Sequence, residues 1–360
     1  MDCPNIPVIP SSELFTRMKQ KAVDHRIPFS GSIELTYRCN MKCVHCYQGS
    51  RRFDHQPAKL STAEVLRITD EIVAAGCLYL LITGGEPFLR PDLFDILKYI
   101  KRKGVLITLF TNGTRINEAT IGKLSECVPN KTEITLYGLT QATYEKVTGI
   151  PGSHQKCMRG IELLHKHKIP FALKTMVLTE NFHELEAMKN FAESLGVKFR
   201  YDSMVHANLE FSNEPHKYRV TPEQVILADQ VDGKRLKRTQ KAWHAQRGQQ
   251  YSGEEVFHCG AGINGFHINP TGNLSLCLMA QTPAYNLRTG TFKEGWDTFL
   301  NDLRTAKTTQ PNPCTDCALF ALCGECPGRA MVEQDTPGQP NPFYCKVAHL
   351  RDALFNSNLQ

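Results

Sequence analysis

The sequence predicts an α/β protein: an open, partial (β/α)6 barrel followed by a small cysteine-rich C-terminal domain. From residue 32 onward, six short runs of apolar or β-branched residues alternate with segments of helical periodicity. Such alternation is typical of a parallel sheet with right-handed crossovers, and six units are too few to close an eight-stranded barrel. After residue 255 cysteines become frequent again, which indicates a second, smaller domain.

The predicted elements follow from capping residues and apolar spacing. An amphipathic segment from Ser12 to Val23 is expected to pack on the barrel as a helix. Ser61-Thr62-Ala63-Glu64 is a capping box that begins the next helix. Pro91 is expected in the first turn of a third helix, and Asn181 and Glu184 are expected to cap a later one. The residues predicted for the buried helix faces are Val65, Ile68, Ile72, Val73, Leu93, Ile96, Leu97, Ile100, Leu185, Met188, Ala192 and Leu195. The six predicted strands are 33–37, 78–83, 105–110, 132–137, 171–178 and 197–204.

The chain divides into five parts at these boundaries. They are an N-terminal arm (1–30), the barrel (31–205), a bridging region (206–255), the cysteine-rich domain (256–350) and a C-terminal tail (351–360). The bridging region carries the basic run Lys234-Arg235-Leu236-Lys237-Arg238 near Trp243, which either attracts an acidic partner or forms a solvated helix or linker. Pro270-Thr271-Gly272-Asn273 separates two short apolar runs and predicts a hairpin.

Composition places the chain among ordinary globular proteins. It has 360 residues, of which 41% are hydrophobic and 22% charged, and a net charge of +6 that indicates neither a nucleic-acid nor a membrane partner. No apolar run approaches the ~20 residues that span a bilayer, and the first residues lack the features of a signal peptide. We therefore expect a cytoplasmic protein whose 14 cysteines are mostly ligands rather than disulfides.

One short loop contains three of those cysteines. Cys39, Cys43 and Cys46 follow the first predicted strand with the spacing C-x3-C-x2-C. A structural zinc site needs four protein ligands, and three closely spaced cysteines in a reducing compartment do not suggest a disulfide. An iron–sulfur cluster normally takes four thiolates, so three would leave one iron open to a small chelating ligand. The loop therefore predicts a catalytic cluster with a vacant coordination position.

This loop resembles the signature of the radical S-adenosylmethionine (radical SAM) enzymes. The resemblance continues in Gly84-Gly85-Glu86-Pro87 after the second predicted strand and in Asn112-Gly113 after the third. It implies a radical SAM barrel in which the methionine end of S-adenosylmethionine chelates the open iron of a 4Fe-4S cluster. Reductive cleavage then gives a 5′-deoxyadenosyl radical, which abstracts a substrate hydrogen, while the protein binds and orients.

The same resemblance implies roles for individual residues. Gly84 and Gly85 would let the backbone approach the methionine end, with Pro87 completing the motif, and Glu86 would accept hydrogen bonds from the methionine ammonium rather than cap the next segment. His45 and Tyr47 are candidates to pack along the adenine, although Tyr47 has a core role as its alternative. The candidate ribose or adenine contacts at strand ends, each with a plain structural role as its alternative, are Asn112, Thr135 and Tyr137.

Three polar residues in otherwise apolar predicted strands are candidate substrate contacts. Lys174, Arg200 and Asp202 alternate with apolar neighbours, so they are expected to face the barrel interior. A buried ion pair would produce the same pattern, and the sequence leaves both interpretations open.

The second cysteine group resembles the SPASM extension, which holds two auxiliary 4Fe-4S clusters. Gly272 and the block Cys314-x2-Cys317-x5-Cys323-x2-Cys326 match its pattern, although the family usually has three positions before the block's last cysteine. By resemblance, the outer cluster would be held by Cys314, Cys317, Cys323 and Cys345, and the inner one by Cys259, Cys277 and Cys326. The inner cluster would keep a position for a substrate thiolate, water or another side chain. The other cysteines are Cys77, Cys127 and Cys157, expected to be small core residues, and Cys3, which has no assigned role.

The SPASM resemblance implies a function. Its commonest substrates are ribosomally made peptides or proteins, so we expect a peptide maturase that forms a crosslink, a thioether or a modified backbone. Thr135-Leu136-Tyr137-Gly138 differs from the Ser-x-Asp-Gly of sulfatase maturases, which disfavours that substrate. We see no leader-recognition domain before residue 32, so a separate partner protein or the core peptide would supply recognition, and flavodoxin or ferredoxin would supply electrons. The alternatives are an enzyme on a small molecule, such as a tetrapyrrole or an amino-acid derivative, and a non-catalytic iron–sulfur electron carrier or redox sensor.

Overall fold

A single mixed sheet forms the centre of the molecule. The computed structural model describes residues 10–52, 59–246, 256–307, 313–314, 316–323, 326–334 and 340–357. Within these residues nine strands form one sheet in the order β6-β5-β4-β3-β2-β1-β7-β8-β9. The strands are β1 (Ser30–Glu34), β2 (Tyr79–Thr83), β3 (Leu106–Thr111), β4 (Lys131–Thr135), β5 (Phe171–Met176), β6 (Phe199–Asp202), β7 (Gly265–Ile268), β8 (Asn273–Ser275) and β9 (Tyr285–Asn286).

The predicted open (β/α)6 barrel is confirmed. Strands β1 to β6 pair in parallel with their neighbours in sequence, and the sheet ends at β6 without closing. Helices alternate with these strands, as a parallel sheet requires. The helices are α1 (Ser11–Asp24), α2 (Thr62–Ala74), α3 (Leu93–Arg102), α4 (Glu118–Glu126), α5 (Gln141–Thr148), α6 (Ser153–Lys166), α7 (Leu185–Ser194), α8 (Pro222–Val231), α9 (Gly233–Gln246), α10 (Phe292–Glu294), α11 (Leu300–Thr305), α12 (Pro327–Gln334) and α13 (Pro342–Ser357).

Strand register divides the barrel sheet into two faces. One face is apolar and packs in a single core with the predicted stripes of α2 and α3. Its central residues, each at most 1% exposed, are Ile33, Ile82, Leu109, Ile134 and Leu173. Because side chains alternate along a strand, their neighbours form the other face, called here the inner face. The inner-face residues used below are Ser32, Glu34, Leu81, Thr108, Phe110, Glu133, Lys174, Arg200 and Asp202.

Of the predicted helix-start residues, one set is confirmed and two are wrong. The capping box at Ser61 is confirmed, because the Ser61 side chain accepts from the Glu64 amide and the Glu64 carboxylate accepts in return. Pro91 lies outside α3, whose N-cap is Asp92, so its expected place in the first turn is wrong by two positions. The predicted caps of α7 are also wrong, because neither Asn181 nor Glu184 makes a side-chain cap hydrogen bond there.

Tertiary partners explain the missing α7 caps. The Glu184 carboxylate accepts hydrogen bonds from the Leu139 amide at 2.5 Å and from the hydroxyls of Thr140 and Thr143, both at 2.6 Å. Asn181 instead binds the backbone around residues 176–178. Both side chains therefore fix the loops that follow β4 and β5.

The C-terminal part joins the barrel sheet directly. Strand β7 pairs in parallel with β1, and β7 and β8 form the hairpin predicted around residues 270–273. The basic run lies on α9, where Trp243 is buried against Leu322 and Phe355, so this part of the bridging region is a packed helix. No described helix is long and apolar enough to cross a bilayer.

Candidate active site

The three-cysteine loop lies at the carboxyl end of β1, where parallel sheets gather their functional groups. Cys39, Cys43 and Cys46 are all partly exposed. Backbone hydrogen bonds tie the loop to the end of α5. The Lys42 amide donates to the Thr148 carbonyl at 2.8 Å, and the Val44 amide donates to the Val147 carbonyl at 3.0 Å. The loop is therefore anchored on the neighbouring helix while its thiols stay accessible.

Tyr137 lies beside the three thiols of this loop. Burial raises the pKa of Tyr137 well above its usual value, and the negative charges of Cys43, Cys46 and Cys39 raise it further. The Tyr137 hydroxyl also hydrogen-bonds the Cys43 thiol, and the His45 ring packs edge-on against Tyr137 with centroids 5.0 Å apart. Tyr137 and His45 thus both border the loop, as the sequence predicts for residues beside a bound nucleotide.

A cluster and a single ion need different arrangements of thiols. Within the described ranges, no three His, Cys, Asp or Glu side chains are close enough to share one metal ion. In a 4Fe-4S cluster each iron takes its own thiolate, so the ligands stand apart by the width of the cluster. Cys39, Cys43 and Cys46 are the three thiols that would hold such a cluster. Ligation by these cysteines stays a prediction.

Gly84 and Gly85 serve a role that the sequence did not suggest. A Cβ on Gly84 would lie 2.4 Å from the Thr36 carbonyl oxygen, and one on Gly85 would lie 2.3 Å from that of Arg38. The Gly85 amide donates to Thr36 at 2.7 Å, and the amide of the following residue donates to Arg38 at 2.9 Å. The glycines therefore let two backbone segments of this chain touch, which fixes the approach to Cys39. Their expected approach to the methionine end stays a prediction.

Glu86 is a capping residue, the alternative that the sequence disfavoured, while its expected contact with the methionine ammonium stays a prediction. Its carboxylate is fully buried and accepts from the Phe88 amide at 3.1 Å, capping the short 3-10 helix Pro87–Leu89. It also accepts from the Thr111 hydroxyl at 2.9 Å and the Asn112 amide at 2.8 Å. Burial raises the pKa of Glu86 from 4.5 to about 7, although these three hydrogen bonds act in the opposite direction.

Asn112 connects the end of β3 to the cysteine loop. Its side-chain amide donates to Asn40 at 2.9 Å and lies 4.0 Å from the Cys39 sulfur. Its oxygen accepts from the Thr114 hydroxyl at 2.6 Å, and that hydroxyl also accepts from the Asn40 amide at 2.9 Å. Asn112 therefore positions the loop, the structural role left open for it, while Thr135 ends β4 in register with Lys174.

A buried polar network on the inner face was missed from the sequence. The Tyr47 hydroxyl donates to Glu34 at 2.6 Å, so its place is in this network. Gln48 donates to the same carboxylate, and His267 lies 3.5 Å from its other oxygen and 2.8 Å from the Ser32 hydroxyl. Burial would raise the pKa of Glu34, but His267 and the hydrogen bonds outweigh it and lower the pKa. The signal for this network in the sequence was Glu34, a single carboxylate inside an apolar strand.

The three polar inner-face candidates are not equivalent. Arg200 donates to Glu133 through two nitrogens, at 2.6 and 2.7 Å. Asp202 lies 3.4 Å from the Arg329 guanidinium. Both therefore form ion pairs, but neither is the buried pair that the sequence left open, because the Arg200 side chain is 57% exposed and that of Asp202 is 47% exposed. The Lys174 ammonium makes no ion pair or hydrogen bond with any residue that the structure describes.

Three C-terminal cysteines come together at the base of the barrel. Burial raises the pKa of Cys277, and the nearby thiolates of Cys326 and Cys259 raise it further. Backbone amides point at two of these sulfurs, from Ala280 to Cys277 and from Arg329 to Cys326, each at 3.3 Å. This is the set predicted for the inner auxiliary cluster.

A cavity of about 490 Å³ joins this cysteine set to the barrel interior. It is lined by Cys259 and Cys277 together with inner-face residues of three strands, namely Ser32, Leu81 and Thr108. A larger cavity of about 1240 Å³ is lined mainly by α6 and the turn before α4, and it reaches the cysteine loop at Asn40. The smaller cavity therefore borders the set predicted for the inner auxiliary cluster.

The remaining cysteines divide into two groups. The Cys317 amide donates to the Cys314 carbonyl at 3.3 Å. Cys323 follows the short 3-10 helix Phe320–Leu322, and Cys345 lies in α13. Their role in an outer cluster stays a prediction. The core cysteines are buried as expected, namely Cys77, Cys127 and Cys157. Cys3 lies outside the described residues.

Comparisons with known proteins agree with this geometry. Residues 33–192 match the family model of the Radical SAM superfamily. The mycofactocin maturase MftC of Mycobacterium ulcerans is 29% identical over 317 residues, which are 85% of this chain and 84% of that protein. An AdoMet-dependent heme synthase of Methanosarcina barkeri is 33% identical over 163 residues, which are 45% of this chain and 46% of that protein. Streptococcus suis SuiB bound to the precursor peptide SuiA has a TM-score of 0.68 and 17% identity, covering 97% of this chain and 84% of SuiB, and at that identity it shows the fold alone.

Proposed function

The chain is a radical SAM enzyme, and from that premise we propose that it modifies a ribosomally synthesised peptide or protein. The modification would follow hydrogen abstraction and would be a crosslink, a thioether or an altered backbone. The observation that carries the proposal is the position of Cys39, Cys43 and Cys46 on one loop after β1, with Tyr137 beside them. The similarity to a peptide maturase along 84% of that relative supports the choice of substrate.

The chain's own residues prepare the site. When bound, the cluster and S-adenosylmethionine supply a 5′-deoxyadenosyl radical that abstracts a substrate hydrogen. Cys39, Cys43 and Cys46 hold the cluster as thiolates. Residues 36–38, locked against the two glycines, fix the entry to the loop, and Asn112 fixes its first cysteine.

The remaining cofactor contacts form the wall of the nucleotide site in this proposal. His45 and Tyr137 border the loop and exclude water from it. Thr135 offers a hydroxyl at the end of β4, and Pro87 begins the short helix that Glu86 caps. The Tyr47 hydroxyl is bound to the buried Glu34 carboxylate of β1, so Tyr47 would support this wall through its ring.

We propose two auxiliary 4Fe-4S clusters as further cofactors. The inner one would use Cys259, Cys277 and Cys326, supported by their proximity and by the amides that point at two of the sulfurs. The outer one would use Cys314, Cys317, Cys323 and Cys345. The domain boundaries given above follow from this assignment. Reduction by a flavodoxin or ferredoxin, recognition through a separate leader-binding protein, and a cytoplasmic location that keeps the thiols reduced belong to the same proposal.

A small-molecule substrate is the second candidate. The similarity to an AdoMet-dependent heme synthase, at 33% identity, favours a tetrapyrrole within this class. One assay can separate a peptide substrate from a tetrapyrrole substrate.

The test uses enzyme reconstituted without oxygen and supplied with dithionite and S-adenosylmethionine. One arm contains short peptides encoded beside the gene, and a second contains iron coproporphyrin III. We expect 5′-deoxyadenosine release to rise with a peptide, together with a mass change on that peptide. Stimulation by the porphyrin alone would support the second candidate. A preparation that binds no iron, or that never cleaves S-adenosylmethionine, would contradict the proposal as a whole.

A further inference from the structure

The inner face of the barrel carries one cation without a counter-ion. Lys174 lies in the middle of β5, and its ammonium nitrogen is 2.8 Å from the centroid of the Phe110 ring on β3. Among the described residues, no hydrogen bond or ion pair involves its ammonium group. An aromatic face attracts a cation, but it does not neutralise one.

The neighbouring carboxylates are already engaged. Glu133 binds Arg200 at 2.6 Å and also Lys131 at 2.5 Å, so two cations share one anion. Asp202 and Glu34, the other inner-face carboxylates, bind the partners described above. The cluster of Lys131, Lys174, Arg200 and Glu133 therefore has an excess of positive charge.

Keeping an unpaired lysine in this position has a cost. Burial lowers the pKa of Lys174 well below its usual value, and the nearby Arg200 guanidinium lowers it further, while Glu133 offsets only part of this. Lys174 is only partly exposed, and a largely buried charge without a partner destabilises a fold, so a leucine or methionine would stabilise the barrel more. The lysine is therefore better explained by something that enters the barrel than by the folded chain itself.

The position of Lys174 relative to the predicted cofactor site indicates which part of a substrate it would contact. Thr135, a candidate nucleotide contact, is its register partner on β4. Phe110 is the last residue but one of β3, so at about 3.3 Å per residue the ammonium lies about 3 Å below the end of that strand. A substrate group next to the nucleoside would occupy this depth.

We propose that Lys174 binds a carboxylate of the substrate inside the barrel. For a peptide, the anion would be its C-terminal carboxylate or the side chain of Asp or Glu. A single ammonium binds an anion as a point charge, and a carboxylate is the anion that an unmodified peptide carries. The inference rests on the proposed function for its choice of a peptide, while the carboxylate itself follows from Lys174.

The test measures binding rather than turnover, on reconstituted holoenzyme. The peptide that stimulates 5′-deoxyadenosine release is compared by calorimetry with its C-terminal amide and with its Asp→Asn and Glu→Gln versions. A porphyrin arm compares coproporphyrin III with its methyl ester. Lys174→Met removes the charge, Lys174→Arg retains it, and Lys166→Met, at an exposed site on α6, is the matched control.

We expect wild-type enzyme and Lys166→Met to prefer one free acid by at least about 30-fold in Kd, the size typical of a buried charge pair. Lys174→Met should lose that preference, and Lys174→Arg should keep part of it. The melting temperature of Lys174→Met should equal or exceed that of wild type, because an unpaired charge is removed. A preference that survives in Lys174→Met, or a lower melting temperature that reveals a structural partner, would overturn the inference. A Lys174-dependent preference for the porphyrin alone would support the anion site and contradict the peptide proposal.

Discussion

Substituting Gly85 with alanine tests whether contact between two loops positions the cysteines. The new Cβ would lie 2.3 Å from the Arg38 carbonyl oxygen and 2.4 Å from that of Tyr37. Both obstacles are backbone atoms, so no side chain can rotate away. Overpacking of this kind costs about 1–3 kcal/mol. The shift also endangers two backbone hydrogen bonds, from Gly85 to Thr36 and from Glu86 to Arg38, each contributing about 1 kcal/mol. We therefore expect the free energy of unfolding to fall by about 3–5 kcal/mol.

Urea unfolding followed by circular dichroism measures this loss, and 5′-deoxyadenosine release measures the state of the cysteine loop. Gly122→Ala is the matched control, because its Cβ would meet nothing within 4 Å and it lies within α4. That variant should gain about 0.5–1 kcal/mol and keep full cleavage of S-adenosylmethionine. Two results would refute the reasoning: a Gly85→Ala variant as stable as wild type, or a destabilised one that still cleaves S-adenosylmethionine at the wild-type rate.

Three further predictions concern single side chains. Because the pKa of Glu86 is raised to about 7 in the fold, its contribution to stability is complete below pH 4.5 and is lost as the pH rises through 7. Glu86→Gln should therefore remove up to about 3 kcal/mol of pH dependence from urea unfolding between pH 4.5 and 8, and parallel profiles for the two proteins would argue against this. Cys43→Ala should abolish 5′-deoxyadenosine release while iron analysis finds the auxiliary iron still bound, and full turnover by this variant would reject the loop assignment. Ser61→Ala removes the N-cap of α2 and should cost about 1 kcal/mol in urea unfolding, whereas an unchanged midpoint would mean that the cap contributes nothing.

The sequence predicted what depends on neighbours along the chain. The strands of the barrel, the capping box at Ser61 and the hairpin after β7 each follow from residues within a few positions of one another. The three-cysteine loop was placed correctly at a strand end for the same reason. Its spacing and the preceding apolar run are both local signals.

Contacts between distant segments could not be predicted in the same way. Glu184 has the right position for a cap, yet three donors on another loop hold its carboxylate. The requirement for glycine at position 85 comes from the carbonyl of Arg38, which only the folded chain brings near. Glu34 and His267 are far apart in sequence, and they meet because β7 pairs with β1.

The pairing of β7 with β1 also decides how the protein tolerates shortening. Strand β1 is an interior strand because a segment more than 200 residues later in the chain covers its free side. A chain cut before β7 would leave β1 with unpaired amides and carbonyls along an apolar sheet, a template for association with other chains. The cysteine-rich end of the protein is therefore part of the barrel's own architecture, and the separation between the two cysteine centres is set by a shared backbone rather than by a hinge.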